Sequence, residues 1–211
     1  MNDHAGGPCI FFVGMTVALA ILVAFRAQLT RAQGGKVLAF MALFIFPVLA
    51  VWSGFSEHMD RAESTRFCLS CHAMSDYGKS LYVDDPSFVP ARHFQNNLVP
   101  RGHACYTCHT DYTMFGPFRS KLRGLHHVHV EYLGTTPKPD KIKLYTPFNN
   151  RECLHCHLGA RTFEEEPHHL KPPDMMAKIK SNQMSCMSSN CHDTIHDIDD
   201  LKDATFWKET Q

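Results

Sequence analysis

A pair of cysteines followed directly by a histidine occurs four times in this chain. The runs are Cys68-Leu-Ser-Cys71-His72, Cys105-Tyr-Thr-Cys108-His109, Cys153-Leu-His-Cys156-His157 and the wider Cys186-Met-Ser-Ser-Asn-Cys191-His192. This is the attachment signature of c-type haem, in which both thiols bond the macrocycle and the adjacent histidine lies beneath the iron. Eight of the nine cysteines are thereby explained. The pattern predicts four covalently bound haems and a role in moving electrons.

Zinc sites and disulfides are the competing explanations for paired cysteines. Zinc is held by two such pairs acting together, and disulfides occur in exported proteins. Neither explains why a histidine directly follows every second cysteine. The motif therefore favours haem attachment over both.

Two uncharged apolar stretches precede the first motif and predict helices at about 10–25 and 37–55. The second is long enough to span a bilayer core, and the first can reach with a little thinning or tilt. Arg26, Arg31 and Lys36 lie between them with no acid, so the positive-inside rule places this loop in the cytoplasm. Residues 1–57 are predicted to be a membrane anchor. A cleaved signal peptide, or one helix plus a peripheral segment, remain alternatives for the first stretch.

Residues 58–211 have only short apolar runs, interrupted by Pro, Gly, Asn and Asp. So little apolar sequence would bury a thin core, and four macrocycles would supply the missing apolar surface. We therefore predict a mainly α fold with long loops and almost no sheet. Haem is attached outside the cytoplasm, so this tetrahaem domain is expected on the periplasmic side of a bacterial inner membrane. Basic and acidic residues balance at 21 each, which gives no sign of a nucleic-acid partner.

The histidine of each motif is the expected proximal ligand of its iron. For the last three motifs these are His109, His157 and His192. The first motif offers two candidates, because Met74 follows His72 by two residues. A thioether and an imidazole are both known iron ligands, so either residue can serve the first haem.

The extended run from Cys68 to Met74, after a membrane helix, resembles the NapC/NirT family of membrane-anchored tetrahaem quinol dehydrogenases. The resemblance covers about residues 37–211 and includes the stretch 103–134. It implies oxidation of quinol, with menaquinol expected, and Met74 as a possible ligand of the membrane-proximal haem. It also implies a lysine beside the quinol, by position Lys121, and a polar residue approaching the first haem, by position His127. Family members often have an acid at the latter position.

Family members also use a histidine upstream of a haem motif, and one just after the last motif, as distal ligands. The resemblance therefore implies distal roles for His93, His127, His169 and His196. Quinol oxidation further needs a proton acceptor, and Asp111 is a candidate together with Lys121.

Three functions compete. The first is a quinol dehydrogenase that meets membrane lipid and the quinone pool and passes electrons to a periplasmic multihaem cytochrome or reductase. The second is a relay subunit that packs on other membrane subunits and never binds quinone. The third is a terminal catalytic cytochrome with an open iron position, which the large surplus of histidines disfavours.

Overall fold

A computed structural model describes residues 7–138, 141–144, 147–199 and 201–207. The chain forms two compact units, which divide between Ala62 and Glu63. Each unit has its own organisation.

The first unit contains two long apolar helices joined by a 3-10 turn. Its elements are α1 (Gly7–Phe25), the turn Ala27–Arg31, α2 (Gln33–Phe40), a π-helical turn Met41–Ile45 and α3 (Phe46–Arg61). The last three form one continuous helix from Gln33 to Arg61. By length and composition, both α1 and this continuous helix can cross a membrane.

The two long helices pack against each other. The rings of Phe12 and Phe46 lie 6.3 Å apart, and the Cys9 thiol donates to the Ala50 carbonyl at 3.7 Å. A Cβ on Gly54 would lie 3.2 Å from the Cys9 sulfur, so the glycine permits this close approach. Small residues are the usual means by which membrane helices approach closely.

Both ends of the second helix differ from the apolar stretch 37–55. The helix begins at Gln33 and continues past Phe55 through polar residues to Arg61. Arg61 pairs with Glu57 one turn earlier, which stabilises this last part of the helix. Near its middle, the Phe46 N–H bonds to the Met41 carbonyl, the wider spacing of a π turn. Pro47 follows directly and has no N–H to continue the regular ladder, which explains the bulge at this point.

The second unit consists of short helices joined by long loops. In the described part these helices are α4 (Thr65–Cys68), α5 (Ser75–Ser80), α6 (Val89–Gln95), α7 (Ala104–His109), α8 (Gly116–Leu133), α9 (Arg151–His157), α10 (Arg161–Glu164), α11 (Pro167–Leu170) and α12 (Met175–Lys180). Strand pairing over the same ranges is one isolated bridge between Val83 and Phe206. The prediction of a mainly α fold with almost no sheet is confirmed.

The apolar core of this unit is thin. It contains two small clusters of buried residues: Leu81, Phe94, Val99 and Ala104 in one, and Val83, Phe88 and Ala91 in the other. A domain of this length normally buries much more apolar surface. So small an apolar core is expected in a domain whose interior is filled in part by bound cofactors.

Two buried polar side chains, those of Thr65 and Asn150, link the cysteine motifs in two pairs through hydrogen bonds. The Thr65 hydroxyl donates to the Arg101 carbonyl at 2.7 Å and accepts from the Ala104 N–H at 2.8 Å, which joins α4 to α7. Asn150, directly before α9, donates to the carbonyls of Ile179 and Met184 and accepts from the Cys186 N–H. The first motif is thereby fastened to the second, and the third to the fourth.

Replacing Asn150 by alanine should lower the free energy of unfolding by about 2–4 kcal/mol, because buried carbonyls and an amide lose their partners. Denaturant unfolding followed by circular dichroism would measure this. Asn96→Ala is the matched control, since the Asn96 side chain bonds one carbonyl at the surface. Equal stability of the two variants would contradict the role assigned to Asn150.

Candidate functional site

The first cysteines of the four motifs lie in two facing pairs. The thiols of Cys68 and Cys105 are within hydrogen-bonding reach of each other, as are those of Cys153 and Cys186. As a free thiol Cys68 has its pKa lowered to about 7, first by the hydrogen bond with Cys105 and also by the charge of Lys121. Motifs one and two therefore share one region of the second unit, and motifs three and four share another.

Three motif histidines each lie opposite a histidine from elsewhere in the chain. The ring centres of His157 and His93 are 5.9 Å apart, those of His109 and His196 are 6.4 Å apart, and those of His192 and His169 are 6.2 Å apart. In the first and third of these pairs the ring planes are steeply inclined, at 75° and 68°. In the His109–His196 pair they are nearly parallel, at 17°.

The separation in each pair fits one metal ion between two imidazoles. A metal–nitrogen bond of about 2.1 Å on each side, plus about 1 Å from each nitrogen to its ring centre, gives roughly 6.2 Å. All three observed distances lie close to this value. The residues present therefore fit a haem iron with two axial histidines.

Hydrogen bonds fix the tautomer of the three non-motif histidines. The Nδ1 atom of His93 lies 2.8 Å from the Val89 carbonyl, and that of His169 lies 2.9 Å from the Phe163 carbonyl. A carbonyl only accepts, so each Nδ1 carries the proton and each Nε2 keeps its lone pair for a metal. Such an outer partner is the usual support of a metal-ligating histidine.

His196 has the same arrangement with a different partner. Its Nδ1 lies 2.7 Å from the hydroxyl of Ser80, which itself donates to the Tyr77 carbonyl at 2.7 Å. Since the hydroxyl proton is used on Tyr77, His196 donates and its Nε2 is left as an acceptor. Burial lowers the pKa of His196 to about 4 and also lowers that of His109. Burial thus favours the neutral form of both rings, which is the form that ligates a metal.

Among the described residues, no such ring pair includes His72 of the first motif. The ligands of the first haem therefore stay a prediction. His72 is exposed and Met74 half-buried, both in the 3-10 turn His72–Met74. The predicted distal residue His127 lies on α8, where burial and then the neighbouring His126 lower its pKa.

Lys121 lies in a polar cluster beside the first and second motifs. Its Nζ is 3.6 Å from Oε1 of Glu63 and 4.6 Å from the ring centre of Tyr106. Burial raises the pKa of Tyr106. The buried Tyr106 hydroxyl is within hydrogen-bonding reach of Thr110 and of Glu63. These residues form one polar cluster with Lys121, in which the ammonium group and the carboxylate are partly open to solvent.

Asp111 occupies a different environment from Lys121. Its carboxylate is mostly buried and accepts from Arg151 at 3.2 Å, with Arg119 at 3.9 Å. Its backbone N–H donates to Ser120, and a Cβ on Gly116 would lie 1.5 Å from its carbonyl oxygen. The carboxylate that pairs with Lys121 is therefore Glu63, which sequence reasoning missed because the two residues are distant in the chain.

Comparison with known proteins places this chain in a family. The NapC/NirT cytochrome c family, N-terminal region, matches residues 30–200. The cytochrome c-type protein NapC of Haemophilus influenzae is 22% identical, over 71% of this chain and 76% of the relative. NapC of Escherichia coli K12 is 24% identical over 52% of this chain and 57% of the relative. The denitrification system component NirT of Stutzerimonas stutzeri is 22% identical over 82% and 85%.

No solved structure matches the chain. The family match covers most of its length, including all four cysteine motifs and the second apolar helix. The chain belongs to the NapC/NirT cytochrome c family, and it is a membrane-anchored electron-transfer protein with covalently bound haem c.

Proposed function

We propose that this chain is a tetrahaem quinol dehydrogenase that takes electrons from membrane menaquinol and passes them to a periplasmic multihaem reductase. The observation that carries the proposal is the Lys121–Glu63 pair, with Tyr106 against the ammonium group, beside the first cysteine motif. Quinol oxidation needs a group that orients the hydroxyl and a group that accepts its proton, and this pair offers both.

The four motifs would hold four haems through thioether bonds to their eight cysteines. The three ring pairs support axial ligation by His109 with His196, His157 with His93 and His192 with His169. His72 or Met74, together with His127, would hold the iron of the first haem. When bound, each haem iron accepts and releases one electron.

Oxidation of a quinol breaks two O–H bonds and releases two electrons and two protons. Lys121 would orient a quinol oxygen through its ammonium group, which lies over the Tyr106 ring. Glu63 would accept the two protons in turn and release each to solvent, because its carboxylate lies beside the orienting lysine and is partly open to solvent. The two electrons would pass one at a time to the first haem, and the oxidised product would be a quinone.

The basic residues near the junction of the two long helices support this route. Arg26 and Arg31 lie between the helices and Lys36 lies in the first turn of the second, so the positive-inside rule predicts a cytoplasmic junction. The haem domain would then lie in the periplasm. The Stutzerimonas stutzeri relative is a denitrification system component. That description supports a periplasmic reductase as the class of partner.

Lys121→Leu and Glu63→Gln should each slow haem reduction by a menaquinol analogue and leave reduction by dithionite unchanged. The expected loss for Glu63→Gln is about 100-fold, the usual contribution of a positioned proton acceptor. The measurement is stopped-flow haem absorbance on the purified full chain in detergent.

Lys178→Leu and Asp174→Asn are the matched controls, because these residues form a solvent-exposed lysine–carboxylate pair at 2.6 Å. Both controls should reduce at the normal rate. If quinol does not reduce the unmodified protein while dithionite reduces it normally, the dehydrogenase proposal is wrong. That result would favour a relay subunit that does not bind quinone. Equal losses with quinol and dithionite would remove Lys121 and Glu63 from the quinol site.

Ser80→Ala should raise the reduction potential of the haem held by His109 and His196. Without Ser80 as its partner, His196 becomes a weaker electron donor and the oxidised iron is less stabilised. A lost hydrogen bond of about 0.5–1.5 kcal/mol corresponds to roughly 20–60 mV for a one-electron couple. Spectropotentiometric titration would measure the shift, with Ser87→Ala as the control because Ser87 bonds the exposed Asp85. Identical potentials in both variants would contradict the ligation proposed for His196.

A further inference from the structure

Helix α8 exposes an apolar stripe along its first half. Phe118, Leu122 and Leu125 follow one another at helical spacing, and all three are more than half exposed. His129 occupies the next position on this face, and the exposed Tyr132 follows it. Phe115, just before the helix begins, extends the stripe. Residues three and four apart share one helix face, so these side chains form a single surface. An exposed apolar surface of this length indicates a binding face.

The opposite side of α8 packs on the second unit. Gly116 is buried against Asp111, and the Ser120 hydroxyl accepts from the Asp111 N–H. On a helix of 3.6 residues per turn these two residues lie roughly opposite Phe118. Lys121 follows Phe118 by three residues and therefore lies along the flank of the stripe, where it contacts Glu63 and Tyr106. The stripe therefore belongs to the outer face of the helix.

The residues beside the stripe are basic. Arg119, Arg123 and His126 lie along one edge, and residues 116–130 contain neither Asp nor Glu. The Arg119 and Arg123 side chains are exposed, although Arg119 also lies 3.9 Å from the Asp111 carboxylate. An apolar face bordered by arginines is typical of helices that lie in the interface of an anionic membrane.

Helix α8 contacts the first residue of the second unit. Lys121 lies 3.6 Å from Glu63, and Glu63 follows α3, which ends at Arg61, by two residues. The length of the chain between Arg61 and Glu63 therefore limits how far Lys121 can lie from the C-terminal end of α3.

We propose that α8 lies in the membrane interface, with its apolar stripe at the boundary between headgroups and acyl chains. Arg119 and Arg123 would contact the phosphates of anionic phospholipids. This would give the electron-transfer domain a second attachment to the bilayer and hold the Lys121 cluster beside the lipid. The proposal rests on membrane anchoring and does not depend on quinol oxidation.

A second copy of the chain is the main competing occupant, because the stripe has the alternating three-and-four spacing of a coiled-coil seam. Two copies packed through this seam would bring Arg119 and Arg123 of one helix near the same residues of the other. Coiled coils usually place opposite charges beside their seam, and residues 116–130 offer no acid. The charge pattern thus favours an anionic lipid surface.

Photocrosslinking of the full haem-containing chain tests the proposal. The photoreactive residue p-benzoylphenylalanine replaces Leu125, and in a second protein it replaces Leu158, a leucine of similar exposure outside α8. Both proteins are placed in nanodiscs of phosphatidylcholine with phosphatidylglycerol, irradiated and analysed by mass spectrometry. Haem absorbance confirms that each variant is folded and loaded, and a third probe at Phe118 repeats the test on the stripe.

A phospholipid adduct at positions 125 and 118, at least about tenfold above that at 158, is the expected result for an interfacial helix. Replacing phosphatidylglycerol by phosphatidylcholine should reduce the adduct, because the arginines lose their anionic partners. A crosslink between two copies at position 125 would overturn the proposal and assign the stripe to a dimer. Equal lipid adducts at 125 and 158, or none at all, would also overturn it.

Discussion

The separation of about 6 Å between paired histidine rings is the constraint that links the distant parts of the second unit. Its three ring pairs join His93 with His157, His109 with His196 and His169 with His192. Each pair brings a histidine from elsewhere in the chain to the histidine of a cysteine motif. We propose that each pair would hold one haem iron, since this separation fits one metal ion between two imidazoles.

This constraint explains why so little apolar core is needed. The two small clusters of buried residues would not by themselves stabilise a domain of this length. Buried polar side chains supply local rigidity, with Thr65 joining the first two motifs and Asn150 the last two. The histidines are held in the metal-binding tautomer by Val89, Phe163 and Ser80 before any cofactor is considered. Because hydrogen bonds already fix these histidine rings, we expect the rings to move little when a haem iron gains or loses an electron.

Much of the architecture could be predicted from the sequence because its signals are local. Cysteine spacing and uninterrupted apolar stretches predicted the haem motifs and the two long helices. The ring pairs support the distal residues His93, His169 and His196. Glu63, Ser80 and Asn150 escaped prediction because their roles come from contacts such as Glu63 with Lys121, across long stretches of chain. A single carboxylate, hydroxyl or amide has no distinguishing sequence pattern.

Electron paramagnetic resonance of the oxidised full chain tests the proposed ligation most directly, because the signal of a low-spin haem depends on the angle between its two axial rings. The nearly parallel rings of His109 and His196 predict one rhombic low-spin signal. The steeply inclined rings of the His93–His157 and His169–His192 pairs predict two highly anisotropic low-spin signals. Loss of the rhombic signal in His196→Ala would assign it. High-spin iron at two or more haems of the unmodified protein would contradict the account.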